Sequence, residues 1–124
     1  MLVKPITYTD LNGEKRTEDF YFNLNRAEIV ELNSKYPGGI QKRLKRIVAE
    51  KDNEKIFAEF KAIIMMAYGE VSEDGRYFRK SPEMALAFTQ SCAYDELIVE
   101  LFTKDGYAAE FVSKIIPQQA EQAQ

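Results

Sequence analysis

Histidine is absent from all 124 residues, which removes the side chain whose charge changes most readily near neutral pH. The Ser-His-Asp and Cys-His arrangements of nucleophilic catalysis go with it, as do most zinc sites. No enzymatic activity, cofactor or metal is therefore expected. The single cysteine, Cys92, excludes an intrachain disulfide and fits a reducing cytosol. Beside Ala93 and near Tyr94 it reads as a small buried hydrophobe rather than a reactive thiol. No basic-then-apolar leader opens the chain, and no apolar run approaches the ~20 residues needed to span a bilayer, so no membrane partner is expected. A phosphate loop is missing too, because Pro37-Gly38-Gly39 lacks both the lysine and the preceding strand that one requires. The formal charge of -3 is mild, and suggests neither a nucleic-acid-coating protein nor an acidic disordered tail.

What the chain does contain is enough apolar material for one domain. Its 45% hydrophobic residues can supply a core that buries roughly two thirds of the unfolded surface. The N-terminus reads as a hairpin. Asp10 and Gly13 take the first and fourth places of a type I turn, and Gly13 can adopt the left-handed conformation of a three-residue loop. Pairing Asp10 with Glu14 sets Leu2, Ile6 and Tyr8 on one face with Phe20 and Phe22. A two-residue Asn12-Gly13 turn would instead mix Ile6 and Tyr8 with Thr17 and Asp19, so the three-residue loop is preferred.

Beyond the hairpin the period of the apolar residues changes from two to about 3.6. Asn25 and Glu28 make a capping box for a helix carrying Ile29, Leu32 and Tyr36, which Pro37-Gly38-Gly39 stops. Ile40, Leu44, Ile47 and Val48 predict an amphipathic helix from Ile40 to Lys51. A stronger helix runs from Glu54 to Tyr68, where Ile56, Phe57, Phe60, Ile63, Ile64 and Ala67 form a wide stripe that Met65 and Met66 extend. Gly69 ends it. Ser72-Glu-Asp-Gly75 reads as a turn before a short extended segment, Arg76 to Lys80. Ser81 and Pro82 then start a helix that turns Met84, Ala87 and Phe88 inward. Two further helices follow, one from Tyr94 to Lys104 with Leu97, Ile98, Leu101 and Phe102, and one after Asp105-Gly106 with Ala108, Phe111, Val112, Ile115 and Ile116. The fold class is α+β, mainly α, with an N-terminal two-stranded β-hairpin packed on a bundle of about five or six helices. Residues 1–117 form the domain (hairpin 2–24, helical part 25–117), and the Gln/Ala-rich residues 118–124 form a flexible tail.

Few residues invite chemistry. Glu70, Glu73 and Asp74 are too short a series for a calcium loop and read as a solvated turn. Lys80 and Ser81 are adjacent, which suits a helix cap better than a nucleophile and its base. Lys42, Arg43, Lys45 and Arg46 are the only group that suggests nucleic acid, but they also serve as the polar side of an amphipathic helix, diluted by Glu50, Asp52 and Glu54. No nucleic-acid partner is expected. Arginines can instead face an acidic protein surface, and Tyr77-Phe78, flanked by Arg76, Arg79 and Lys80, suits a contact surface. Arg43, Arg46, Tyr77 and Phe78 are thus the candidate partner-binding residues.

Tyr8-Thr-Asp-Leu-Asn-Gly-Glu14 with Thr17-Glu-Asp-Phe-Tyr-Phe-Asn-Leu24 also resembles the start of the tail assembly chaperones of long-tailed, siphovirus-type bacteriophages, particularly those of Gram-positive hosts and their prophages. Tyr68-Gly-Glu-Val-Ser-Glu-Asp-Gly-Arg-Tyr-Phe-Arg-Lys-Ser81 is similar to the family's central turn. Phe88-Thr-Gln-Ser-Cys-Ala-Tyr-Asp-Glu-Leu97 and Ala109-Glu-Phe-Val-Ser-Lys-Ile-Ile-Pro117 are similar to its C-terminal part. The resemblance implies a protein of the infected host's cytoplasm that binds the tape measure protein, keeps its apolar helices soluble, and helps recruit tail tube protein. It further implies a homo-oligomer, a frameshifted longer form of the chain, and absence from the mature virion. The alternative is a virion structural protein of the tail or head-tail connector.

Overall fold

Asp10 shapes the turn from which the fold starts. In the computed structural model its carboxylate accepts the N–H groups of Asn12 and Glu14 at 2.9 Å each, and its carbonyl accepts that of Gly13 at 3.0 Å. Gly13 has φ of 83°, the left-handed conformation this loop needs. Strands β1 (Leu2–Thr9) and β2 (Lys15–Phe22) pair antiparallel, with Leu2 opposite Phe22 and Thr9 opposite Lys15. That is the register of the three-residue loop. Ile6 and Phe22 are buried on one face and Phe20 half-buried beside them, while Thr17 and Asp19 are exposed on the other. The structure describes residues 1–36, 38–40, 42, 43, 45, 53–104 and 106–115, apart from the side chains of Asn53, Lys55 and Ile56.

Helix α1 (Arg26–Lys35) starts at a reciprocal cap. The Asn25 side chain accepts from the Glu28 N–H at 2.8 Å, and the Glu28 carboxylate accepts from the Asn25 N–H at 3.0 Å. Ile29 and Leu32 are its buried residues. Most of the helix expected from Ile40 to Lys51 lies outside the described residues, Leu44, Ile47 and Val48 among them. Of the rest, Ile40, Lys42, Arg43 and Lys45 are helical, and Ile40 is buried. Helix α2 (Asn53–Ala67) buries Phe60, Ile63, Ile64 and Ala67.

The expected two-stranded hairpin is in fact half of a four-stranded antiparallel sheet ordered β1-β2-β3-β4. Helix α2 runs directly into β3 (Tyr68–Val71), which sets Gly69 opposite Tyr21 and Tyr68 opposite Phe22. Strand β4 (Phe78–Arg79) pairs on the far side of β3. Strands of two to four residues are too short to show a period, so Tyr68 reads in the sequence as the last turn of a helix. Gly69 does more than end α2. A Cβ there would lie 2.4 Å from the Arg79 carbonyl oxygen and 2.6 Å from Phe78 Cε2, so only glycine lets β4 approach.

Three further helices follow among the described residues. In α3 (Pro82–Thr89) Ser81 caps the Met84 N–H at 3.1 Å, and in α4 (Cys92–Thr103) Ser91 caps that of Tyr94 at 3.2 Å. Helix α5 (Tyr107–Ile115) follows Gly106. Helix α4 lies along β1, tied by Lys4 to Glu100 at 3.0 Å. Pro117 and the expected tail 118–124 lie outside the described residues. The fold is mixed, with five helices and four strands among the described residues. Its core is a relay of rings. Phe20 and Phe22 on the sheet meet Phe88 of α3, Phe22 meets Phe111 of α5 at 5.1 Å, and Phe111 meets Phe60 of α2 at 5.7 Å. Tyr68 stacks on Phe88 at 4.4 Å with planes 8° apart.

Candidate interaction surface

The described candidates, Arg43, Tyr77 and Phe78, sit on separate parts of the fold. Arg43 is committed within the fold: its Nε lies 3.2 Å from Glu59 Oε1 in α2, its Nη2 reaches the same oxygen, and the guanidinium stands 4.9 Å above the Tyr36 ring. It clasps the end of α1 to α2 with its side chain still partly exposed. Arg46 lies outside the described residues. Lys42 and Lys45, its neighbours in the basic group, are exposed.

Tyr77 and Phe78 sit elsewhere, in the hairpin of β3 and β4. A rigid turn presents them. The Asp74 carboxylate accepts the Ser72 hydroxyl at 2.7 Å and the Arg76 N–H at 3.0 Å, while the Ser72 hydroxyl accepts the Tyr77 N–H at 3.0 Å. The hydroxyl of Ser72 and then the N–H of Arg76 hold Asp74 below the ordinary carboxylate range. This carboxylate is thus used in building the turn, and Glu70 and Glu73 beside it are exposed. Tyr77 is 62% exposed, and Phe78 is half-buried against Gly69. Lys80 spans back to Glu28 of α1 at 2.7 Å, and Ser81 is used as a cap. Cys92 is half-buried at the first turn of α4, more open than its apolar neighbours suggest.

A second exposed aromatic group is one that periodicity assigned to the core. Phe57 of α2 and Phe102 of α4 remain 39% and 38% exposed. Their rings lie 5.7 Å apart, and Phe102 rests edge-on against buried Phe60 at 5.2 Å. Val99, one turn before Phe102, and Tyr107 at the start of α5 are exposed as well. The stripe on α2 spans more of the helix than its neighbours cover, and its width was the available signal. A rigid aromatic pair anchored on a buried ring is suited to contact with another apolar surface.

Residues 1–124 match a family model described as phage tail assembly chaperone. No curated protein and no solved structure matches the chain.

Proposed function

Because this chain belongs to the phage tail assembly chaperone family, we propose that it binds the tape measure protein and keeps that protein's long apolar helices soluble while tail tube protein assembles around them. The observation that carries this reading is the exposed pair Phe57 and Phe102, an apolar contact already ordered before any partner arrives. Tyr77 provides a second contact on the β3–β4 turn. Arg43, held by Glu59 and Tyr36, acts by keeping α1 on α2, and Arg46 is a further proposed partner contact of the basic group. The role is non-enzymatic and is exercised in the cytoplasm of the infected host, a Gram-positive bacterium carrying a siphovirus-type phage. The chain self-associates, shares this domain with a frameshifted longer form, and is absent from the mature virion.

Co-expression with the tape measure protein of the same phage tests the proposal. The soluble fraction of that partner rises with the chain present and changes little with salt, since screening weakens exposed charge pairs far more than apolar contact. Phe57→Ser lowers the soluble yield without abolishing the fold. A tape measure protein equally insoluble with and without the chain refutes the reading. Recovery of the chain from purified virions favours instead a structural subunit of the tail or head-tail connector.

A further inference from the structure

Among the described residues no strand pairs with the outer edge of β2 from Lys15 to Phe20, because β3 pairs with Tyr21 and Phe22 only. Which backbone groups lie on that edge follows from the turn. The Asp10 N–H donates to the Glu14 carbonyl at 2.8 Å, so these two form a hydrogen-bonded pair, and such pairs alternate along an antiparallel ladder. Arg16, Glu18 and Phe20 therefore direct their N–H and C=O groups to β1, while those of Lys15, Thr17 and Asp19 point outward. Pro5 agrees with this phase. It stands opposite Asp19, where its missing N–H would have pointed away from β2.

The open edge reads Lys15-Arg16-Thr17-Glu18-Asp19, and it is complementary to itself. Laid antiparallel about Thr17, two copies set Lys15 opposite Asp19 and Arg16 opposite Glu18, twice each. This register pairs outward-pointing residues with outward-pointing residues, as the hydrogen bonds require. A slip of one residue breaks that match. A slip of two residues either way sets Arg16 opposite Arg16 or Glu18 opposite Glu18, which like charges disfavour. Lys15 and Asp19 have no side-chain partner among the described residues and are exposed. Arg16 and Glu18 are engaged on the β1 side of the hairpin, Arg16 with Asp10 at 2.6 Å and Glu18 with the Tyr8 hydroxyl, so Lys15 and Asp19 carry the pairing.

The geometry points to a two-fold dimer in which the β2 edges of two copies pair antiparallel about Thr17, making one sheet continuous across both. The interface is isologous, as closed two-fold contacts are. It gives a surface to the self-association within the proposed function and rests on that part of it, but not on tape measure binding.

Sedimentation velocity of the full chain across micromolar concentrations tests it. The wild type shows a concentration-dependent dimer. Asp19→Lys puts like charges opposite each other and weakens the dimer at least about tenfold. The double variant Lys15→Glu/Asp19→Lys swaps the charges without losing complementarity, and brings the dimer constant back to within about threefold of wild type. Both positions are exposed, so an unchanged far-UV spectrum verifies the fold of each variant. A strict monomer at every concentration overturns the interface and the self-association together. A dimer indifferent to Asp19→Lys, or one that the charge swap fails to restore, overturns the edge pairing and leaves self-association by another surface. None of these outcomes bears on tape measure solubility, which co-expression reads separately.

Discussion

Phe22→Ala is the most direct test of where the core sits. The ring is fully buried, and it meets Tyr68, Phe88 and Phe111 edge-on at 5.8, 5.7 and 5.1 Å. Removing a core phenylalanine costs about 3–5 kcal/mol through lost transfer and the cavity left behind. The value here is not at the low end of that range, because the three neighbours belong to β3, α3 and α5 and cannot all close on one gap. The unfolding entropy of 124 residues is about 260 cal/mol/K, so a loss of about 4 kcal/mol lowers Tm by about 15 °C. That is a quarter or more of the stability of an ordinary domain, about 5–15 kcal/mol. Thermal melts followed by circular dichroism measure it, with Tyr77→Ala as the exposed control, expected to shift Tm by less than about 2 °C. A Phe22→Ala melt within about 3 °C of wild type refutes the placement of this ring at the centre.

Gly69→Ala forces a Cβ to 2.4 Å from the Arg79 carbonyl, a backbone atom that cannot swing aside. The expected loss is about 1–3 kcal/mol in urea unfolding, and an unchanged midpoint would show that β4 does not need this close approach. Acid acts on the first hairpin through Asp10. The Arg16 guanidinium, then the Glu14 N–H, hold its carboxyl below the ordinary value of 3.8. A depressed folded value means that this contribution is complete above the ordinary value and is lost as pH falls through the folded one. A carboxyl titration by nuclear magnetic resonance should therefore give Asp10 a midpoint below 3.8, moved upward by Arg16→Ala. A midpoint at the ordinary value removes Asp10 as the organiser of the turn.

Local chemistry by itself determined a good part of this protein. Asp10 and Gly13 specify the loop, and with it the register that turns Ile6 and Phe22 inward, because turn geometry and the two-residue period of a strand act over a few residues. Asn25 with Glu28, and Ser81 with Pro82, specify where helices start for the same reason. The motifs in both halves of the chain likewise carry its resemblance to the phage tail assembly chaperones, the family whose model it matches. Tertiary structure decided the rest. Strand β3 exists because Phe22 and Tyr21 offer Tyr68 and Gly69 a ladder, and β4 because Gly69 has no side chain to hold it off. Only the tertiary structure brought Glu59 and Tyr36 to Arg43, and it left Phe57 and Phe102 exposed because the helices around them stop short of covering their rings. Periodicity tells which side of a helix is apolar, but how much of that side is buried depends on neighbours brought together from distant parts of the chain.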